Sequence, residues 1–166
     1  DKAIHHYPAE HYARLAAHAP QAAAALRAGV LGENLSTTGW DETCVCLGDC
    51  YQVGEALLQV TQPRKPCWKI NARLEVEQLS MFIAEHSLTG WYCAVRQPGR
   101  LWPGAPVTLV SRPADTLSLA QFNALQAEHR PDPARLRAVA AIDGLAADVA
   151  QRLRERAAWL DGLRAG

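Results

Sequence analysis

The segment from Gln62 to Asn71 carries the clearest chemical pattern in the sequence. Its order is Gln-Pro-Arg-Lys-Pro-Cys-Trp-Lys-Ile-Asn, so Cys67 is accompanied by two prolines and three cations. Pro63 and Pro66 fix φ and remove backbone donors, which makes the segment stiff before anything binds to it. Positive charge near a thiol favours the thiolate, the form that attacks electrophiles and ligates soft metals. The pattern predicts a metal ligand or nucleophile at Cys67; the alternative is a buried free cysteine beside solvated cations.

The three cations of this segment, Arg64, Lys65 and Lys69, predict a second function for it. Such side chains bind phosphates and carboxylates, and an arginine can do so through two parallel hydrogen bonds. We therefore expect an anion-binding group of side chains beside the thiol.

A second candidate is the tetrapeptide Gly32-Glu33-Asn34-Leu35. Glycine and asparagine both tolerate positive φ, so this segment can bend tightly and turn the Asn34 amide and backbone N–H groups toward an anionic or pterin-like ligand. A plain turn between a helix and a strand is the alternative.

Three closely spaced cysteines, Cys44, Cys46 and Cys50, raise the question of a zinc site. Side chains at i and i+2 of a strand share a face, and the Gly48-Asp49 turn could return the third thiol to the first two. Structural zinc sites more often combine two C-x2-C pairs, however, so the spacing favours small cysteines packed in the interior.

Four of the six histidines lie close to the start of the chain: His5, His6, His11 and His18. No H-E-x-x-H pattern accompanies them, which favours histidines on the surface or on a helix face. The sequence also lacks G-x-S-x-G, Walker and G-x-G-x-x-G patterns, which removes the simplest hydrolase and nucleotide-binding interpretations.

Composition narrows the choice of partners and compartment. Seventeen Lys and Arg balance seventeen Asp and Glu, so the total charge gives no reason to expect nucleic acid as a partner. We expect no membrane partner either, because no apolar run approaches the roughly 20 residues that span a bilayer. Five cysteines, an odd number, and the lack of a signal-peptide pattern at the first residues predict a cytoplasmic protein.

The pattern of apolar residues predicts a β-rich body followed by helices. Glycines punctuate short apolar stretches from residue 30 to 60, whereas the spacing of Val76, Leu79 and Ile83 is helical. The predicted elements are two short helices between 8 and 28, strands and turns over 30–60, an amphipathic helix over 73–86, strands at 91–95 and 107–110, and helices at about 118–128, 133–142 and 145–163.

Several segments, in this order, resemble the MOSC domain family, and specifically its bacterial YiiM-type branch. They are Asp1 to Pro8, Gly32 to Ser36, Leu47-Gly48-Asp49, Gly54 to Leu57 and, above all, Gln62 to Lys69. The resemblance implies a mainly β fold with helices: a MOSC-type β-barrel over residues 1–112 and a small three-helix domain over 113–166. The family has a His-Gly-Gly segment and strands ahead of the matched region, so we expect the barrel here to lack its N-terminal strands.

The resemblance also implies a function. Members of this branch hold a molybdenum cofactor and reduce N-hydroxylated compounds such as hydroxylaminopurine and amidoximes, with electrons from a flavin reductase. Cys67 matches the cysteine that ligates molybdenum. By the same comparison, cofactor-binding positions are Arg64 and Lys69 toward the anionic groups, Asn34 and Asn71 as polar pocket residues, and Glu33 and Lys2.

Two other functions fit the residues. The chain could be a module that carries the cofactor, or a persulfide on Cys67, without turnover. It could also be a cysteine hydrolase in which Cys67 works with one of the histidines as base, although the sequence has no nucleophile-elbow pattern and the prolines suit a metal ligand better than the N-terminus of a helix.

Overall fold

The computed structural model describes residues 1–165 of the chain. Its centre is a mixed six-stranded sheet in the order β2-β1-β5-β4-β3-β6. Only the β1–β2 pair is parallel among the neighbouring strands of this sheet. The strands are β1 (Ile4–Pro8), β2 (Leu35–Thr37), β3 (Cys50–Val53), β4 (Ala56–Pro63), β5 (Trp91–Gln97) and β6 (Val107–Ser111).

Helices flank the sheet, and local sequence explains where several of them begin. At the start of one helix, Ser118 accepts a hydrogen bond from the Gln121 amide and the Gln121 side chain accepts one from the Ser118 amide. The next helix begins at Pro133, where a missing N–H costs nothing. The helices are α1 (His11–His18), α2 (Trp68–Leu74), α3 (Leu79–Glu85), α4 (Leu119–Ala127), α5 (Pro133–Val139) and α6 (Ala147–Ala165), with a 3-10 turn at Pro20–Ala22.

Two hydrophobic clusters are built on this sheet. The first combines strand residues such as Tyr51, Leu58 and Trp91 with the apolar sides of α4, α5 and α6. The second combines Tyr7 with α1, α2 and α3. Successive side chains of a strand alternate between the two faces, so β1 contributes to both sides of the sheet.

The predicted secondary structure is confirmed for the strands near 91–95 and 107–110 and for three helices after residue 116. The prediction of one helix over 73–86 is wrong, because the chain forms α2 and α3 with a break between them. The strand β1 was not predicted; Ile4–Pro8 carries two histidines and a proline, residue types that do not favour strands.

The expected barrel is present as a half-barrel. The sheet ends at β2 on one side and β6 on the other, and within residues 1–165 these two strands do not pair with each other. The residues of α4, α5 and α6 share a cluster with the sheet. Whether residues 113–166 form a separate small domain stays a prediction.

In the part of the chain that the structure describes, no helix has both the length and the apolar character needed to cross a bilayer.

Candidate cofactor site

Cys67 lies in the connection between β4 and α2. The strand ends at Pro63, and the Arg64 amide then donates a hydrogen bond to the Gly90 carbonyl at 3.0 Å, which ties the start of this connection to the residue before β5. Cys67 is extended, with φ −133° and ψ 161°, and its carbonyl accepts from the Ile70 amide at 3.0 Å as the first turn of α2 forms. The cysteine is exposed, so the alternative of a buried free thiol is wrong.

The cations around Cys67 differ in burial. Lys65 and Lys69 are exposed, whereas Arg64 is half-buried. The positive charge of Arg64 helps to lower the pKa of His5, although burial of that histidine is the larger cause. Arg64 therefore lies close to β1, and it connects the Cys67 segment electrostatically with that strand.

Two hydrogen bonds, one to the Asn34 side chain and one between backbone groups, fasten the turn at Glu33 and Asn34 to β1. The His5 amide donates to Asn34 Oδ1 at 2.8 Å, and the Asn34 amide donates to the His5 carbonyl at 2.8 Å. Glu33 Oε1 accepts from the Gly29 amide at 2.6 Å and from the Tyr12 hydroxyl. Both side chains therefore hold this turn against the residues around β1, and a role for them in cofactor binding stays a prediction.

The structure gives Asn71 and Lys2 contacts away from this turn. Asn71 Oδ1 accepts from the Ser80 amide at 2.7 Å and so joins α2 to α3. Lys2 Nζ lies 3.8 Å from the Asp148 carboxylate on α6, and both side chains are about half exposed. A role for these two residues in cofactor binding stays a prediction.

Five buried polar atoms around β1 have no hydrogen-bond partner among the described residues. We call the residues that carry them the polar face: they are His5 (Nε2), Tyr7 (hydroxyl), Glu33 (Oε2), Ser36 (Oγ) and Gln62 (Oε1). Almost all buried polar groups in proteins are paired, and leaving one unpaired costs about 1–3 kcal/mol. A cluster of five therefore needs an explanation, such as a ligand or ordered water.

Strand register places four of these residues on one face of the sheet, across β2, β1, β5 and β4. Tyr7 is opposite Ser36 in the β1–β2 pair, and His5 is opposite Tyr92 in the β1–β5 pair. Gln62 is opposite the same tyrosine in the β4–β5 pair. Directly opposed residues share a face of the sheet, so four members of the polar face lie on one side. The fifth, Glu33, is joined to this side through Tyr12, whose ring packs 5.3 Å from that of Tyr7.

Burial favours the neutral forms of His5 and Tyr7. It lowers the pKa of His5 to about 4. It also raises the pKa of the Tyr7 hydroxyl far above its usual range, and the nearby carboxylates Glu42 and Glu33 add to that shift. The polar face therefore presents a neutral imidazole and a neutral phenol next to a carboxylate.

The opposite side of β1 carries a fully paired network. His6 Nδ1 is 2.8 Å from the Tyr51 hydroxyl, and His6 Nε2 is 2.5 Å from Thr37 Oγ1. The Trp91 indole also donates to the Tyr51 hydroxyl at 2.9 Å, and Cys93 Sγ lies 3.0 Å from it. Burial lowers the pKa of His6 to about 3. The contrast shows that unpaired polar atoms are a property of one side of the sheet.

A groove of about 740 Å³ lies between the two edges of the half-barrel. Its walls include Leu35 and Thr37 of β2, Val107 of β6 and the indoles of Trp40 and Trp102. Asn34 is the only predicted site residue that lines it within the described part of the chain. The groove and the Cys67 segment are therefore different features.

The remaining candidates from the sequence are the histidines near the start of the chain and the closely spaced cysteines. His5 and His6 are buried, so the expectation of surface histidines is wrong for them; His11 and His18 do lie on α1. Cys46 is buried, in agreement with packing, while Cys44 is exposed. Within residues 1–165 no three potential metal-ligating side chains come together.

This chain belongs to the MOSC domain family: the model of that family, described as the MOSC domain, matches residues 1–108. The protein YiiM of Escherichia coli (strain K12) is 42% identical over 115 residues, which are 69% of this chain and 51% of YiiM. A protein of Gibberella moniliformis (strain M3125 / FGSC 7600) named Reductase is 33% identical over 114 residues, which are 68% of this chain and 20% of that protein. The chain thus spans about half the length of YiiM and a fifth of the other relative.

The crystal structure of YiiM from Escherichia coli is similar over 95% of this chain and 78% of that one, with a TM-score of 0.87 and 35% identity. The family resemblance inferred from the sequence is thereby confirmed, and so is the MOSC fold in its half-barrel form.

Four members of the polar face were missed as site residues: His5, Tyr7, Ser36 and Gln62. Their side chains share a surface only through the register of β1 with β2 and of β5 with β4. The only sequence signal was the alternation of His5 and Tyr7, and it could be used only after that segment was known to be a strand.

Proposed function

We propose that this chain binds a molybdenum cofactor through Cys67 and reduces N-hydroxylated compounds such as hydroxylaminopurine and amidoximes. The observation that carries the proposal is an exposed cysteine in a cationic segment that directly follows Gln62 of the polar face. Membership of the MOSC family supports the cofactor, and the name of the Gibberella moniliformis relative supports reductase chemistry.

The residues present fit such a cofactor. A thiolate is a soft ligand suited to a transition metal, and Cys67 is accessible. The cations Arg64, Lys65 and Lys69 suit the phosphate of a pterin cofactor. The unpartnered atoms of the polar face offer hydrogen bonds that the protein itself does not use. These three features correspond to the metal, the phosphate and the heterocycle of one group.

When bound, the cofactor would supply two-electron oxygen-atom chemistry. Reduction of an N–OH group consumes two electrons and two protons and releases water and the amine. We propose a flavin reductase as the source of the electrons. The protein's own contribution is to ligate through Cys67, to neutralise anionic groups with Arg64 and Lys69, and to orient the bound groups. All five cysteines are free, which supports the proposal of a reducing, cytoplasmic compartment.

Metal content tests the proposed ligand. Wild-type protein, Cys67→Ala and Cys44→Ala are produced in a host that makes molybdenum cofactor, and molybdenum per chain is measured by mass spectrometry. Cys44 is the matched control because it is also an exposed free cysteine. We expect the Cys44 variant to equal wild type and the Cys67 variant to lose roughly tenfold or more, as is usual when a site loses part of its coordination. Equal molybdenum in all three proteins would exclude Cys67 as the ligand.

A carrier of cofactor or sulfur is the second candidate, favoured by the exposure of Cys67, which leaves the thiol accessible to another protein. The two functions differ in turnover. Loaded protein is supplied with reduced flavin reductase and 6-hydroxylaminopurine, and adenine is measured. Formation of adenine supports the reductase, whereas retained cofactor without product supports the carrier.

A further inference from the structure

We infer that Glu42 is a positioning residue for Cys67. The Glu42 carboxylate holds the Gly90 peptide, and the Gly90 carbonyl anchors the Arg64 amide at the point where the chain leaves β4 toward the cysteine. The inference rests on the proposed function, because the position of Cys67 matters most if its thiol is a metal ligand. Glu42 acts through Gly90 and not on the metal itself.

Glu42 is a buried acid in the irregular connection between β2 and β3, with 2% of its surface exposed. Burying a carboxyl group is costly unless its oxygens are hydrogen-bonded. Its Oε1 accepts from the Gly90 amide at 2.6 Å, and its Oε2 lies 2.6 Å from Nε2 of His11, which is also buried. The Glu42 carbonyl accepts from the Ala120 amide at 2.7 Å. The residue is therefore held by α1 at its tip and by α4 at its backbone, so it can fix the peptide that it contacts.

Gly90 can transmit this position because it is itself confined. Its φ of 64° lies in the left-handed region, and a Cβ atom on it would be 2.6 Å from the His6 carbonyl oxygen and 2.7 Å from a ring carbon of Tyr7. Glycine therefore allows this peptide to lie directly against β1. The Gly90 amide donates to Glu42, while the Gly90 carbonyl accepts from the Arg64 amide at 3.0 Å. One residue thus joins the buried acid to the connection between β4 and α2.

The hydrogen bond from Arg64 to Gly90 extends the pairing of β4 with β5 beyond its last matched residues, Pro63 and Trp91. Pro66, directly before the cysteine, has no amide hydrogen and cannot hold the chain to a neighbour in the same way. The Arg64 amide is therefore an anchor close to the thiol, and a shift of this anchor would move the thiol.

Two substitutions at Glu42 separate positioning from a general need for an acid. Glu42→Gln keeps the length and an oxygen that can accept from the Gly90 amide, and its NH2 group can donate to the acceptor nitrogen of a neutral His11. Glu42→Asp keeps the carboxyl group but is shorter by one methylene, so it cannot keep both contacts at the same distances. Positioning predicts that glutamine works and aspartate fails, whereas a need for the acid itself predicts the opposite.

Asp49 is the matched control, because it is another fully buried acid with partners of its own. Its carboxylate accepts from the Cys46 amide at 2.8 Å and from the Arg112 guanidinium at 2.7 Å. Neither partner belongs to residues 62–71 or to the turn at Gly90. Asp49→Asn should therefore lower the melting temperature without altering the anchor at Arg64.

The first measurement is hydrogen exchange of the Arg64 amide, followed by NMR in protein prepared without cofactor. Rates are expressed relative to amides of the β3–β4 pair, which removes the effect of overall stability. In Glu42→Asp the Arg64 amide should exchange about five- to tenfold faster than in wild type, because its acceptor is no longer fixed. Glu42→Gln and Asp49→Asn should keep the wild-type ratio.

The second measurement is molybdenum per chain in protein made in a host that supplies the cofactor. Glu42→Asp should lose about tenfold or more, as is usual when a residue that orients a metal ligand is changed. Glu42→Gln and Asp49→Asn should stay close to wild type.

Three results would overturn the inference: an unchanged Arg64 exchange ratio in Glu42→Asp, equal loss of molybdenum from the Asp and Gln variants of Glu42, or equal loss from Asp49→Asn. Wild-type molybdenum in Glu42→Asp together with loss from Cys67→Ala would also overturn it and would leave the proposed function standing. Unchanged molybdenum in Cys67→Ala would instead contradict the proposed ligand, and faster Arg64 exchange in Glu42→Asp would then still support the anchoring of this segment by Glu42.

Discussion

Two adjacent histidines, His5 and His6, lie on opposite faces of β1 and are both neutral at pH 7. Burial is the main cause in each case, and it lowers the pKa of His5 to about 4 and that of His6 to about 3. His6 is satisfied by Tyr51 and Thr37, whereas Nε2 of His5 is left without a partner among the described residues. One strand thus presents a structural histidine on one side and a candidate ligand-binding histidine on the other.

These two histidines predict a loss of stability in mild acid. Their pKa values in the folded protein lie below 6.5, the ordinary value for histidine, so the unfolded chain binds more protons between pH 6.5 and about 4. The stabilisation is complete above pH 6.5 and falls as pH decreases, by up to about 1.4 kcal/mol per pH unit for each histidine. Urea unfolding at pH 7.5, 6 and 5 measures the slope. A free energy of unfolding that stays constant from pH 7.5 to 5 would contradict the assignment, and His6→Gln should show a shallower slope than wild type.

At the scale of residues, the sequence identified a candidate functional side chain, but it did not show which side chains lie next to each other in space. Pro63, Pro66 and the nearby cations pointed to Cys67 because the features that define it are close in sequence. Ser36 became a neighbour of Tyr7, and Gln62 came to the same face two strands from His5, only through strand pairing over long sequence separations. A single sequence does not contain that register.

Among the elements, the break between α2 and α3 is the clearest departure from the predicted helix over 73–86. Glu75 has φ 54° and Gln78 has φ 60°, both in the left-handed region. The apolar residues behind the prediction, Val76, Leu79 and Ile83, are nevertheless all buried. The spacing identified the correct buried side, and the Asn71 side chain, by accepting from Ser80, stabilises a bend that the spacing could not reveal.

Left-handed backbone at a residue with a side chain is strained, so glycine should be better at this break. Glu75→Gly should raise the free energy of unfolding by about 0.5–1 kcal/mol. Glu77→Gly is the control, because Glu77 is also an exposed glutamate of the same break but does not have positive φ. It should give no gain, since glycine there only increases the entropy of the unfolded chain. Chemical denaturation of both variants tests this, and equal destabilisation by the two changes would show that Glu75 is not strained.

In the whole molecule, one sheet separates two environments. On one side, α4, α5 and α6 complete a large apolar cluster, and the polar groups of β1 and its neighbours are paired. On the other side, α1, α2 and α3 cover Tyr7 and leave polar atoms unpartnered next to the segment that carries Cys67. Both faces are packed with apolar side chains, but among the described residues the unpartnered polar atoms lie on the side of α1, α2 and α3.

The class of fold could be predicted because the family pattern is distributed along the chain, from Asp1 to Lys69. The half-barrel form could not, since it depends on whether the edges at β2 and β6 meet. Turns marked by glycine could be identified because they are local in sequence. The groove between the two edges could not, because its walls combine residues far apart in sequence, such as Leu35 and Val107.

The identity of the metal's protein ligand is tested most directly by X-ray absorption at the molybdenum edge. Wild-type protein loaded with cofactor is compared with Cys67→Ser, at cofactor concentrations that keep the variant loaded. The account predicts one sulfur neighbour of molybdenum fewer in the variant than in wild type. The same number of sulfur neighbours in both would contradict it, because the thiol of Cys67 would then not be bound to the metal.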